Sequence, residues 1–307
     1  MKILFVCSKN KGWIVPFIAE QAESIRKLGH DVEFFCIEGK GVKGYLKCWP
    51  QLKKKINEYK PDIIHAHYGL CGLLANFQRK IPVVTTYPGS DINDSKVRLF
   101  SIVSIYLSKY NIFMGTRQMD KVKRYLNKNS EILRYGIMAD NFIPIEKSVA
   151  REKLGLNQKD KLVVFAGKFA NKVKNAELAK RVVSLLDGVK LMELTGGYTK
   201  QEMCYLMNSV DVAIMTSHSE GSPQFIKEVM ACGCPIVSVD VGDVAEVVDG
   251  VEGCYITDKN PQNIASALKK AISFEGKTKG RDRILKLGLT NEQVAEKLIK
   301  IYKQIIK

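Results

Sequence analysis

Short apolar runs alternate along the chain with apolar positions at helical spacing. Residues 2–7 are nearly all apolar, as in a strand covered on both faces. Ile14, Phe17, Ile18, Ala22, Ile25 and Leu28 follow at steps of three and four, which sets them on one face of a helix. Gly29 and His30 end that helix, and 31–36 predicts the next strand. Further strands are predicted at 62–66, 83–87, 111–116 and 132–137. After a polar stretch the pattern resumes, with strands at 162–167, 189–195, 210–216, 235–240 and 254–257. Strands joined through amphipathic helices pair in parallel, because the helix is the crossover. The last helix opens on Thr290-Asn-Glu-Gln293, which has the spacing of a capping box, and runs to the C-terminal residue.

A chain of 307 residues exceeds the usual size of one hydrophobic core, so two α/β domains are expected. Residues 1–146 form the first domain and 147–288 the second. Residues 289–307 form a closing helix. The charged segment after Asn141-Phe-Ile-Pro144, ending near Gly155, reads as the linker. Two such domains in tandem place a cleft between the carboxyl ends of their sheets, where open α/β folds bind ligands.

Composition narrows the class. The chain is 46% hydrophobic and 26% charged, as in soluble globular proteins. The most apolar stretch, 97–110, is broken by Arg98 and Lys109 and is too short for a bilayer, so it reads as a helix buried in protein. The opening MKILFVCSKN lacks the apolar core of a secretory signal, and a cytoplasmic location is expected. Eight cysteines are scattered without zinc-site spacing, so reduced structural thiols and no bound metal are expected. The net charge is +16, and the first 150 residues carry most of it, with 24 Lys and Arg against 13 Asp and Glu. An excess of that kind points to an anionic neighbour. No nucleic-acid-binding motif accompanies it.

The richest chemistry lies at Glu220-Gly-Ser-Pro-Gln-Phe-Ile-Lys-Glu228, directly after an apolar strand. Ser222 suits an N-cap and Pro223 the first helical position. The free N–H groups and positive dipole end of such a helix suit a phosphate. Glu220 before the cap, and Glu228 on the side of Gln224, could accept from sugar hydroxyls.

This run, with its continuation to Val-Met-Ala-Cys-Gly233-Cys-Pro-Ile-Val-Ser-Val-Asp, resembles the family-4 glycosyltransferases of the GT-B fold. The resemblance implies two Rossmann-like α/β/α domains and retention at the anomeric carbon. It places Glu220 on the transferred sugar, Glu228 on the donor ribose, and the Gly221–Ser222–Pro223 backbone beside the sugar. A second match, Val163-Val-Phe-Ala-Gly-Lys-Phe-Ala-Asn-Lys-Val-Lys174-Asn175, implies that Lys174 and Lys168 hold the donor pyrophosphate beside Gly167. Relatives usually carry an arginine at the place of Lys168, so a bidentate fork becomes a point charge. Resemblance also implies that the last helix packs back on the first domain.

In the N-terminal half, Asp62-Ile-Ile-His-Ala-His-Tyr-Gly69 and Pro82-Val-Val-Thr-Thr-Tyr-Pro-Gly-Ser-Asp91 follow the same family. His65, His67 and Asp91 are the acceptor-side candidates, with a structural role open for the histidines. Pro88 stands where relatives commonly have a histidine that faces the sugar. Gly12, in the loop after the first strand, would let backbone approach a ligand. A literal G-x-G-x-x-G at 39–44 follows the second strand rather than the first and is rejected as a dinucleotide fingerprint.

The function implied is transfer from a nucleoside-diphosphate sugar, without cofactor or metal. The hydroxyl acceptor would be a lipid-linked or envelope-polysaccharide intermediate. Sugar-nucleotide epimerisation and a non-catalytic nucleotide-sugar-binding role are the rivals. Residues 44–60 set lysines among Tyr45, Leu46, Trp49, Leu52 and Ile56. They read either as a surface helix with its apolar side in the core or as a dock on an anionic membrane, peripheral on the cytoplasmic face.

Overall fold

The structure is a computed structural model and describes residues 1–10, 12–127 and 129–306. The chain divides into two compact units, one of Met1–Gly136 with Asn291–Lys307, the other of Ile137–Thr290. The division falls before the boundary expected at 146. The charged segment taken for a linker forms a helix, Lys147–Lys153, inside the second unit. Its Arg151 is buried, donating to the Ser209 and Gln158 carbonyls and pairing with Asp211 at 3.0 Å. A buried guanidinium with that many partners ties the segment to its sheet.

The first unit holds six strands: β1 Lys2–Ser8, β2 Asp31–Ile37, β3 Ile63–His67, β4 Val83–Tyr87, β5 Tyr110–Phe113 and β6 Ser130–Ile132. They pair in parallel in the order β2-β1-β3-β4-β5-β6. Alternation along β1 feeds two helical layers. Ile3, Phe5 and Cys7 pack with Ile18, Ala22 and Ile25 of the Pro16–Lys27 helix and with the last helix, Asn291–Ile306. Leu4 and Val6 pack on the other face with Leu52, Ile56, Leu70 and Leu74. The strand expected at 132–137 ends at Ile132, because its partner β5 ends at Phe113.

In the second unit, β7 Lys161–Phe165, β8 Val189–Glu193, β9 Val212–Met215, β10 Ile236–Val239 and β11 Cys254–Thr257 form a parallel sheet ordered β11-β10-β9-β7-β8. In both sheets the chain reverses its direction of growth beside the first strand. The switch points are β1/β3 and β7/β9, and there the crossing loops diverge and leave room for a ligand.

The helix Ser95–Leu107 corrects another expectation. It is not buried in protein: Leu99 and Tyr106 are 66% and 62% exposed. Its inward face carries Ser101, Ser104 and, just past its end, Ser108. A Cβ built on Gly69 or Gly72 of the facing helix would lie 2.0 and 2.3 Å from the Ser101 and Ser104 hydroxyls. Small residues on both sides let the two helices approach closely.

Candidate active site

The second unit brings two sequence-distant candidates together at its switch point. The Lys174 ammonium meets the Glu220 carboxylate at 2.8 Å, both groups largely shielded from solvent. Lys174 closes a short 3-10 turn, Lys172–Lys174, in the loop after β7. Asn171 caps that turn through its side chain, and Asn175 adopts φ 56° to swing the chain into the Ala176–Val183 helix. Asparagine tolerates that left-handed backbone where most residues do not. The Lys174 stem lies over Gly167, where a Cβ would be 3.1 Å from Cγ and where φ is +150°.

The loop after β9 is laced to the same turn. Thr216 donates to the Lys174 and Asn175 carbonyls, and the His218 N–H to the Val173 carbonyl at 2.8 Å. Behind the motif, Gly242 at φ +59° sits so close that a Cβ would be 2.6 Å from the Gly221 carbonyl oxygen. Glu193 at the end of β8 accepts from the Phe169 N–H at 2.6 Å and holds the basic loop. Thr216, Gly242 and Glu193 are supports that sequence reasoning missed. Gly-Asp after an apolar strand was the one visible signal, at Gly242.

Ser222 does not cap its helix. The helix spans Gln224–Ala231, and Pro223, with ψ 123°, occupies the cap position without a side-chain bond. Among the described residues the buried Ser217 hydroxyl, Ser222 hydroxyl and Gln224 amide nitrogen have no protein partner. Three orphaned polar atoms in one turn are unusual in a folded core and suit a polar ligand. Glu228 follows Gln224 by one turn, half-buried, on the same side. Lys168 is exposed, its stem near Gly196 in the loop after β8.

In the first unit a cavity of about 460 Å³ opens at the carboxyl edge, at the β1/β3 switch point. Trp13, Phe17, Tyr45, His67, Tyr68 and Pro88 line it. Tyr68 stands at φ +112°, a costly backbone for a bulky residue and of the kind that clusters at ligand sites. Nothing in the sequence signalled it. His67 is bonded through Nδ1 to the Tyr135 hydroxyl at 2.9 Å and stacks on His65, while its buried Nε2 has no partner among the described residues. His65 is satisfied at both nitrogens, by the Tyr302 and Thr86 hydroxyls, and does not line the cavity. Burial lowers both imidazoles, His65 to about 3, so both are neutral near pH 7.

Asp91 is wholly buried and accepts from the Gly69 and Gly89 N–H groups, pinning the loops after β3 and β4. Burial pushes its carboxyl up to about 7 against the pull of those bonds. Gly12 has φ +87°, and no protein atom lies within 4 Å of a Cβ built there. The helix Trp49–Tyr59 turns Leu52, Ile56 and Tyr59 into the core, as one of the two sequence readings held. Among the described residues no cluster of metal-ligating side chains occurs.

Two Rossmann-like α/β/α units, each with its parallel sheet and switch point, are the architecture of the GT-B fold. The chain belongs to the family-4 glycosyltransferases. Residues 7–118 match the family model described as glycosyl transferase 4-like, and 148–273 that described as glycosyl transferases group 1. Among its relatives is TuaC of Bacillus subtilis strain 168, named for a glycosyltransferase role in teichuronic acid biosynthesis. It is 24% identical over 75% of this chain and 69% of its own length. The chain spans 69% of TuaC's length and 54% of that of the D-inositol 3-phosphate glycosyltransferase of Mycobacterium marinum, to which it is 22% identical over 67% of its own residues. The fold is shared with sucrose-phosphate synthase of Thermosynechococcus elongatus (TM-score 0.84, 15% identity, 99% of each chain). It is shared too with HepE of Anabaena in complex with UDP, at TM-score 0.78 and 14% identity over 99% of this chain and 100% of that one.

Proposed function

We propose that the protein is a retaining glycosyltransferase that uses a nucleoside-diphosphate sugar and glycosylates a hydroxyl of a lipid-linked or envelope-polysaccharide intermediate at the cytoplasmic face. The observation that carries this reading is the Lys174–Glu220 pair at 2.8 Å beside orphaned Ser217, Ser222 and Gln224. As the anomeric C–O bond to the diphosphate breaks, the leaving phosphate gains charge, and a fixed ammonium stabilises it. The acceptor oxygen bonds to the same face of that carbon, and its proton passes to the departing phosphate. Lys174 and Lys168 serve the pyrophosphate, with Gly167 beside them. Glu228 serves the ribose, and Glu220 with the Gly221–Pro223 backbone serves the sugar. His67 and the aromatic cavity of the first unit serve the acceptor; Asp91 and His65 position its walls. The UDP bound to HepE and the teichuronic acid biosynthesis in TuaC's name support uridine nucleotides and an envelope product.

Calorimetry and a transfer assay with UDP- and GDP-sugars test the assignment. Glu228→Ala should weaken nucleoside-diphosphate binding, because a carboxylate shared by two ribose hydroxyls is lost. Glu220→Ala should leave that affinity and abolish transfer. The reverse pattern would exchange their roles, and a released epimer of the sugar nucleotide would replace transferase by epimerase.

A further inference from the structure

The helix Ser95–Leu107 turns an apolar row to solvent. In a helix on a soluble surface the apolar stripe faces the core and the polar side faces water. Here the core side holds Ile105, packed with Tyr87 and Phe113, and also Ser101 and Ser104, with Ser108 behind them, the serines buried and hydrogen-bonded, Ser101 to the Asp91 carbonyl and Ser108 to Thr85. The solvent side holds Leu99 (66% exposed), Phe100 (37%), Val103 (45%) and Tyr106 (62%). Their spacing of three and four makes one continuous row along the helix. Leu99, at one border of the row, also lines a basin of about 520 Å³. Lys96, Arg98, Lys121 and Arg124 line the same basin, and no carboxylate does.

From these two features together we infer that this face seats the protein on an anionic lipid bilayer, the apolar row entering the headgroup–acyl boundary and the basin taking lipid phosphate. An apolar stripe bordered by cations is the composition that lies in a membrane interface. A protein partner would have to be both apolar and acidic at this spot. The helix is held on its inner side by Ile105 and the serines, while Leu99 and Tyr106 keep most of their surface in solvent. Trp49–Tyr59, the other basic helix, has spent its apolar side in the core, and its Lys54 and Lys55 pair with Glu58 and Glu33. That helix offers charge without a wedge. Among the described residues no helix is long and apolar enough to cross a membrane, so contact would be from one side.

The inference rests on, and deepens, the reading of a lipid-linked acceptor. Its test needs neither donor nor acceptor, so either reading can fail alone. The full chain is floated with vesicles of phosphatidylcholine alone and with about a third phosphatidylglycerol. Wild type should float with the anionic vesicles only and be released by salt. L99Q/Y106Q, at two exposed positions, should partition at least about tenfold more weakly with unchanged unfolding midpoint and nucleotide binding. K96E/K121E should do the same, whereas K53E/K54E should have a smaller effect. Wild type left unbound by anionic vesicles, or L99Q/Y106Q binding as well as wild type, overturns the inference. So does sedimentation showing a wild-type dimer that L99Q/Y106Q dissociates, with no flotation of either, since the face would then be a contact between copies.

Discussion

Lys174 and Glu220 are 46 residues apart, and no periodicity or spacing joins them. Only the two motif matches pointed to both, and the fold shows why: each sits in a loop flanking the β7/β9 switch point. Lys174→Ala should lower transfer by roughly two to four orders of magnitude, the effect of removing a few kcal/mol of transition-state charge stabilisation. Turnover near wild type in a folded variant would take Lys174 out of the reaction. The buried histidines lend themselves to a pH measurement. Unfolded, each imidazole binds a proton below about pH 6.5; folded, both stay neutral well below that. The unfolded state therefore binds more protons, and the contribution of each group is present above 6.5 and lost as pH falls, approaching about 1.4 kcal/mol per pH unit. Asp91 acts oppositely, since a raised carboxyl takes up its proton first in the folded state and its contribution is lost as pH rises toward 7. A comparison at fixed Asp91 separates them. His65→Asn should be less stable than wild type at pH 7.5, with a gap that narrows between pH 6.5 and 5 in urea unfolding. A gap independent of pH would mean that His65 takes up its proton as readily in the folded protein as in the unfolded chain.

At the scale of elements, the alternation of strands and helices was legible because parallel strands buried on both faces are nearly pure apolar runs. What escaped was orientation. The 95–107 segment is apolar enough to be read as core, yet hydrophobicity does not say which side of a helix faces inward. Ser101 and Ser104 hold the part of the inward side that meets Gly69 and Gly72, which leave only enough room for them, and Ile105 holds the rest. The charged 147–153 segment misled in the other sense, because Arg151 is buried by partners far along the chain, Ser209 and Asp211. Separation in sequence also hid the role of Gly242, which is the backbone clearance of the Glu220–Gly221 turn. Gly242→Ala forces a β-carbon into the left-handed region, at a cost of about 1–2 kcal/mol, and against the Gly221 oxygen. The turn must shift, and displacements of that order cost ten- to a hundredfold in rate. The expected outcome is a folded enzyme with transfer reduced at least about tenfold. An unchanged kcat with only a lower melting temperature would mean that the Gly221 backbone does not touch the reacting sugar.

At the scale of the whole molecule, the chain leaves its second unit at Thr290 and ends in the first. Asn291–Ile306 is the longest helix among the described residues and packs along Pro16–Lys27. It places Val294, Leu298, Ile299 and Ile301 in the first unit's core and sets the Tyr302 hydroxyl on His65. The first unit is therefore completed only by residues that follow the second, and the second is inserted between its parts. Burying four such aliphatic side chains is worth together about 6–12 kcal/mol, against total domain stabilities of about 5–15 kcal/mol. A chain ending after Thr290 should consequently lose the first unit and keep the second, whose own core draws on Ile137–Thr290. Calorimetry of the truncated chain should show one cooperative transition in place of that of the intact protein. Limited proteolysis should degrade the Met1–Gly136 part while 137–290 resists. Cooperative unfolding of both parts in the truncated chain would show that the first unit's sheet is stable without its last helix, and that Tyr302 and its neighbours only cover a core already formed.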